Sequence, residues 1–392
     1  MKALFAYTGN FIEDGSGRVY SSNLNHDLFR RYLSVFDHVT VAGRYTRSEG
    51  SLTDSESMVT GPGVSFVGLA EKKHQLSVLA HYPSIRRQLR RLIAKVDAVI
   101  IRLPSNIGSM AVGIARGQNV PVMLEVVGCP YDALRHHGSF FGKALAPLAS
   151  WQMRKQVAGA SHVVYVTKEF LQSRYPTQGK SINCSDVIIY EQDQGILEQR
   201  QRRIQTWSSD AAIRLGLIGS LDVNYKGHEV ALRSLKRLRE AGHNVSFEFV
   251  GQGNPERWER MAEQLDISRY VEFLGLLSRS QVEAWLIDID IYLQPSKTEG
   301  LSRSIIEAMS YGCPVVSCQV GGIPELLDED FLVKPDDADG LAERIAMLIE
   351  NPELAPAQAA RNFKEAGSYR YDVLQARREA FLEQWLVEES YE

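Results

Sequence analysis

No run of this chain approaches the ~18 consecutive apolar residues that a membrane-spanning helix needs; its apolar stretches are short. Cysteine is scarce, with four in 392 residues (Cys129, Cys184, Cys313 and Cys318). The last two straddle an apolar run, CPVVSC, whose spacing does not match zinc-ligand pairs. They read as small buried residues, and neither a metal nor a disulfide is expected. Charge of one sign is also lacking. With 44 basic and 48 acidic residues the formal net charge is −4, which marks no nucleic-acid binder. There is no internal repeat and no low-complexity segment. The N-terminal MKALFAYTGN has one lysine and a very short apolar run, so it reads as a first strand rather than a signal peptide. These absences together predict a reduced, cytoplasmic protein.

What is present is ordinary globular material, 44% hydrophobic and 23% charged, enough for two cores. Length alone suggests two or three domains. Short apolar runs alternate with helical patterns. Strands are expected at Ala3–Tyr7, Val39–Ala42, Ala98–Leu103, Pro121–Val127, His162–Val166 and Val187–Ile189. Between them lie amphipathic stretches such as Asn23–Leu33 and Ile85–Val96; in the second, Ile85, Leu89, Leu92, Ile93 and Val96 share a face. The polar stretch Glu191–Asp210 has almost no apolar periodicity and reads as a linker. Alternation resumes with Ile213–Gly219, Ser246–Val250, Val271–Leu274, Ile289–Leu293, Pro314–Ser317 and Phe331–Val333, and a last helix is expected from about Asp372 to Val387. Unbroken apolar strands alternating with helices argue for parallel sheets covered on both faces. The economical α/β architecture is two doubly wound domains facing each other, with ligands at the carboxyl ends of strands. The expected boundaries are 1–195 with 371–392 for the first domain and 208–370 for the second.

The informative block is IDIYLQPSKTEGLSRSIIEAMSYGCPVVSCQVGGIPELL, from Ile289 to Leu327. A strand breaks at Pro295, passes a polar loop with Gly300, and enters a helix at Ser302 or Arg303. The N–H groups and positive end of that helix form a ready phosphate site. Glu299 stands just before the helix and Glu307 about one turn inside it. Carboxylates beside an anion site are costly unless neutral donors, such as sugar and ribose hydroxyls, bond to them. Taken alone the pair also fits solvated charges at a helix start capped by Ser302. A second block, IRLGLIGSLDVNYKG (213–227), ends a strand in Gly-Ser-Leu and opens a helix at Lys226-Gly227, where the lysine is placed to neutralise a phosphate. Gly15-Ser16-Gly17, ahead of a helix expected near Ser21, would let backbone approach a ligand; such a run is also often a plain loop.

In combination these motifs resemble the E-x7-E signature of retaining glycosyltransferase family four. Glu299 and Glu307 have its spacing, Gly321-Gly322 precede Ile323-Pro324-Glu325, and Ile218–Gly227 occupies its GxL…KG position. The resemblance covers residues 213–345, and the N-terminal half weakly. It implies a GT-B fold of two Rossmann-like domains facing a central cleft, with the C-terminal helix crossing back to the first. It further implies a nucleotide-sugar donor (UDP- or GDP-sugar), no cofactor, no metal, and retention at the anomeric carbon. Carried over, Glu299 and Lys226 are the catalytic residues. Glu299 and the backbone of Gly300, Leu301 and Ser302 would meet donor sugar and diphosphate; Glu307 the ribose; Lys226 the diphosphate; Gly275 and Leu276 the base; and Gly17 the donor from the first domain.

Two departures stand out. Many members have Arg where this chain has Ser220, so one positive charge at the phosphate is missing; Arg303 either supplies it or is a surface residue. Many members also place a His after the strand Pro121–Val127, where this chain reads EVVGCPYD. Glu125, Asp132, His136 and His137, with Arg102, are the acceptor-side candidates. The acceptor itself is expected to be a glycan or lipid-linked saccharide, in synthesis of a cell-surface polysaccharide or glycoconjugate. The basic segment SIRRQLRRLIAK (84–95) reads first as a solvated helix face packed on the sheet, with peripheral contact with anionic membrane at the inner face as the second reading. A nucleotide-sugar epimerase on the same fold and a non-catalytic sugar-nucleotide-binding subunit are the alternatives.

Overall fold

The computed structural model describes residues 1–9, 11–21, 24–48, 57–71, 77–136, 140–207 and 212–389, the side chains of 77–80 excepted. The chain divides into two units: Met1–Pro130 with Pro147–Asp186 and Gln375–Glu392, and Tyr131–Ala146 with Val187–Leu374.

Among the described residues the first unit is built on ten strands: β1 Lys2–Ala6, β2 Phe11–Glu13, β3 Val19–Ser21, β4 His38–Arg47, β5 Ser57–Met58, β6 Val64–Glu71, β7 Ala98–Leu103, β8 Val122–Val126, β9 His162–Tyr165 and β10 Lys180–Asn183. Their order is β10-β9-β8-β7-β1-β4-β2-β3-β5, with β6 on β4. From β10 to β4 every pairing is parallel. Ala3–Ala6 and the whole of β7 and β8 are buried, as strands covered on both faces must be. The second unit has β11 Ile213–Ile218, β12 Val245–Val250, β13 Val271–Gly275, β14 Ile291–Gln294, β15 Val315–Cys318 and β16 Leu332–Val333, ordered β13-β12-β11-β14-β15-β16 and all parallel. Leu215, Leu217, Phe247, Phe249, Ile291, Leu293 and Val316 form its core with Leu232 and Leu235 of the helix His228–Glu240. Both units are Rossmann-like, the expected fold class.

Several local expectations are corrected. Val187–Ile189 is not a strand; Ile189 makes only an isolated bridge to Arg370, and the edge strand is β10. Val187 and Ile189 are nonetheless buried, so side-chain packing rather than ladder pairing selects their apolar character. No helix starts near Ser21, which ends β3. The helix there is His26–Arg30, with Asn25 capping Leu28 N–H, so the expected Asn23–Leu33 helix is shorter; Asn23 lies outside the described residues. Gly15-Ser16-Gly17 is the tip of the β2–β3 hairpin, where Gly17 takes φ +80°. Within the expected linker Glu191–Asp210, Gln194–Ile204 is a helix burying Leu197, Arg200 and Ile204. The Arg200 guanidinium donates to the carbonyls of Leu286 (2.6 Å), Ile287 (3.1 Å) and Ile289, capping the helix Arg279–Asp288. Residues 208–210 lie outside the described residues.

The C-terminal helix, Tyr371–Glu389, returns to the first unit from Gln375 onward. Gln375 donates to Arg31 O (2.9 Å), Arg377 to Asn183 O (2.9 Å) and Arg378 to Ser185 O (2.9 Å), and Trp385 packs edge-on to Phe36. None of the four cysteines is in a disulfide, and all are buried. Among the described residues no helix is long and apolar enough to cross a membrane.

Candidate active site

The site grows from the carboxyl ends of β11 and β14, neighbours in the second sheet. Glycines bring the loops beyond them together. Gly227 takes φ +83°, and a Cβ there would lie 2.0 Å from Pro295 O, so only glycine lets the turn carrying Lys226 approach the end of β14. Lys297 N–H donates to Tyr225 O (2.8 Å) across the same junction. Gly321 takes φ +58°, with a Cβ position 2.1 Å from Glu299 O, and Gly322 N–H donates to Gly300 O (2.7 Å). The small-residue run after β15 is therefore what the Glu299 loop rests on.

In this frame Lys226 Nζ donates to Glu299 Oε1 at 2.7 Å, the two side chains being 21% and 11% exposed. A polar relay anchors the carboxylate from behind. Ser296 Oγ donates to Glu299 Oε1 (2.8 Å), Gln294 Nε2 to Ser296 Oγ (2.9 Å), and Tyr292 OH (2.7 Å) and Ser304 Oγ (3.0 Å) to Gln294 Oε1. Ile218 N–H at the end of β11 donates to Tyr292 OH (3.3 Å). Burial pushes the Tyr292 phenol well above its ordinary value, and the carboxylates of Glu307 and Glu299 act in the same direction. Tyr292 thus stays a neutral donor to Gln294. The sequence reading missed this relay; its signal was the polar positions in an otherwise apolar strand, Tyr292 and Gln294, followed by Ser296.

The helix Arg303–Ser310 starts directly after the loop. Its N-cap Ser302 is extended and makes no side-chain capping bond; Ser302 Oγ instead meets Ser304 Oγ at 3.2 Å. That leaves the positive end of the helix available to a ligand rather than to its own cap. Leu301 and Ser302 are buried, and Arg303 and Glu307 are half-buried on the first two turns. Ser220 is half-buried just beyond β11, and Asp222 N–H donates to its Oγ (3.4 Å). Gly275, at φ +69°, ends β13, and its carbonyl accepts from Gly251 N–H (2.8 Å); Leu276 beside it is 41% exposed. His228, directly after Gly227, stacks on Trp258 (5.0 Å between centroids), and burial, with Lys226 adding to it, pushes its pKa down to about 4.

The second unit thus brings together Lys226, Glu299, Gly300 and the start of the Glu307 helix. Gly17 sits on the first unit. So do Arg102 and Glu125, each 4% exposed and register partners on β7 and β8; Arg102 pairs with Asp186, and Glu125 Oε1 accepts from Tyr32 OH (2.5 Å). Asp132 and His136 are half-buried on the helix Pro130–His136, and His137 lies outside the described residues.

Residues 212–351, which contain the whole of this constellation, match the family described as glycosyl transferases group 1. Protein CapJ of Staphylococcus aureus is 32% identical over 373 residues, covering 95% of this chain and 92% of that protein. The putative colanic acid biosynthesis glycosyltransferase WcaL of Escherichia coli (strain K12) is 38% identical over 143 residues, 33% of this chain and 35% of WcaL. Among solved structures, Anabaena HepE in complex with UDP-glucose superposes with a TM-score of 0.65 at 17% identity, covering 98% of this chain and 100% of that one. With a mainly parallel, Rossmann-like sheet in each unit, a family match across the Lys226–Glu299 site and a relative that spans nearly the full length, the chain belongs to the group 1 glycosyltransferases of GT-B fold.

Proposed function

We propose that this glycosyltransferase moves a sugar, with retention of anomeric configuration, from a nucleotide-diphosphate-sugar to a glycan or lipid-linked acceptor in polysaccharide synthesis. The observation that carries the reading is the Lys226–Glu299 pair, 2.7 Å apart beside the start of the Arg303–Ser310 helix. A leaving diphosphate needs fixed positive potential, which Lys226 and the helix N-terminus supply without reorganisation. Glu299 and the backbone of Gly300–Ser302 would hold donor sugar and diphosphate, and Glu307 the ribose hydroxyls. Gly275 and Leu276 would meet the base. Arg303 would stand in for the positive charge absent at Ser220. The leaving phosphate itself would take the acceptor proton, so no protein nucleophile and no metal are required.

HepE was solved with UDP-glucose, which favours a UDP-sugar over a GDP-sugar as donor, and WcaL is named for colanic acid biosynthesis, which supports a polysaccharide product. Gly17 would meet the donor from the first unit, whose candidates Arg102, Glu125, Asp132 and His136 would serve the acceptor. Peripheral contact with anionic membrane at the cytoplasmic face completes the reading. Its strongest support is not the 84–95 segment, where Ile85, Leu89 and Ile93 are buried and Arg86, Arg87, Arg90 and Arg91 exposed, as on any solvated helix. It is the helix Phe140–Ala158, along which Phe140, Phe141, Leu145, Leu148 and Trp151 are 53–82% exposed beside exposed Lys143, Arg154 and Lys155.

The deciding experiment is transfer by Glu299→Ala with the best donor of a nucleotide-sugar panel. Transfer should vanish while the variant still unfolds cooperatively, at a melting temperature lowered only by loss of the ion pair. Retained transfer would refute the role given to Glu299.

A further inference from the structure

The first unit holds a second concentration of charge, entirely inside it. Arg102 near the end of β7 and Glu125 near the end of β8 are joined there by Asp186, beyond β10, which pairs with Arg102. Arg31, at the C-cap of the His26–Arg30 helix, and Arg378, on the C-terminal helix, reach the same place. All five line one small cavity together with Cys184. Arg31, Arg102 and Glu125 are 4% exposed and Arg378 is 3% exposed.

Three guanidinium groups, which do not deprotonate in proteins, therefore meet two carboxylates. Neither of the remaining titratable neighbours balances the excess. Burial raises the Tyr32 phenol and the Cys184 thiol, so both keep their protons. The excess is also unsatisfied locally, because Arg31 Nε, Arg31 Nη2 and Arg378 Nε are buried donors without an acceptor. An uncompensated buried cation is among the costlier arrangements in a protein interior. A water molecule would satisfy donors but leave the charge. The cavity has room for about one water-sized particle, too little for a nucleotide or a sugar.

We propose that this cavity binds one small monovalent anion of chloride size, held by Arg31 and Arg378. The ion would fasten the returning C-terminal helix to the first sheet; Arg102 and Glu125, which also line the cavity, are the acceptor-side candidates named above, whereas Arg31 and Arg378 are not.

The test is thermal unfolding of the full chain in sodium chloride against sodium gluconate at matched ionic strength. The melting temperature should rise with chloride and saturate, by about 2–4 °C per kcal/mol of binding free energy recovered. Arg378→Met and Arg31→Met should abolish the difference between the salts. Glu125→Gln, which enlarges the excess of positive charge, should saturate at lower chloride. Should the arginine variants fail to fold, bromide-soaked crystals of the natural protein should show an anomalous peak within hydrogen-bonding reach of Arg31 Nε. Equal stability in the two salts, a chloride response that survives Arg378→Met, or an ordered water without anomalous signal would each overturn the proposal. Stabilisation by acetate but not chloride would assign the cavity to a carboxylate and overturn it too.

Discussion

Lys226 and Glu299 are each partly withdrawn from water, and neither would rest easily at these strand ends without the other. Their substitutions should therefore cost some stability as well as chemistry, and kinetics on the folded variants reads the second. Lys226→Met removes the charge that would meet the leaving diphosphate, and kcat/KM should fall by about 10²–10³-fold, the range for loss of one preorganised electrostatic contact. Lys226→Arg keeps charge but lengthens and flattens the head group, so steady-state kinetics should show partial recovery. A Lys226→Met enzyme with unaltered kcat/KM would remove Lys226 from the mechanism. His228 makes a different prediction. With its pKa pushed to about 4, it remains neutral in the fold while the unfolded chain takes up a proton near pH 6.5. Its contribution is therefore intact above pH 6.5 and is lost as pH falls toward 4, by up to about 3 kcal/mol. His228→Phe should keep the stack on Trp258 and flatten the decline in melting temperature over that window. Parallel pH profiles for the two proteins would contradict it.

At the scale of elements, Gly321 offers the sharpest test of how the site is built. An alanine there would be strained at φ +58° and would drive its Cβ into Glu299 O. Gly321→Ala should cost roughly 1–3 kcal/mol and weaken donor affinity together with stability, read by denaturant melts and donor titration. Full affinity in that variant would show that the Glu299 loop does not depend on this contact. The same scale shows what the sequence could reveal. Strands such as β7, β8 and β12 were legible because burial on both faces demands unbroken apolar runs. So was the start of the Arg303–Ser310 helix, beside which Lys226 and Glu299 pair, because a strand, a polar loop and a helix follow one another within a few residues. The Gln194–Ile204 helix was not legible, since much of its buried face is Arg200, whose guanidinium satisfies three carbonyls at the end of another helix. A periodicity of apolar residues cannot register an arginine doing the work of a cap. The β2–β3 hairpin was hidden for a related reason: three-residue strands carry too short an alternation to read. The Tyr292–Gln294–Ser296 relay needed the fold, because its members look like ordinary polar interruptions until β11 supplies the Ile218 N–H.

For the whole molecule, the donor is the most informative ligand, because its binding couples directly to unfolding. A nucleotide sugar present at 100 times its dissociation constant stabilises the folded chain by about 2.7 kcal/mol. Screened over a UDP- and GDP-sugar panel, the melting temperature should rise with UDP-sugars and less with GDP-sugars, if the loop at Gly275 and Leu276 reads the base. The rise should persist in Glu125→Gln, a first-unit residue given no part in donor binding, and shrink in Lys226→Met. Chelation with EDTA should leave both the shift and the rate of transfer unchanged, because Lys226 and the helix N-terminus already supply the positive potential a divalent cation would otherwise bring to the diphosphate. Loss of transfer on chelation, restored by added magnesium or manganese, would require the charge bookkeeping at the phosphate to be redrawn. Arg303 would then lose its proposed place as the substitute for the positive charge absent at Ser220.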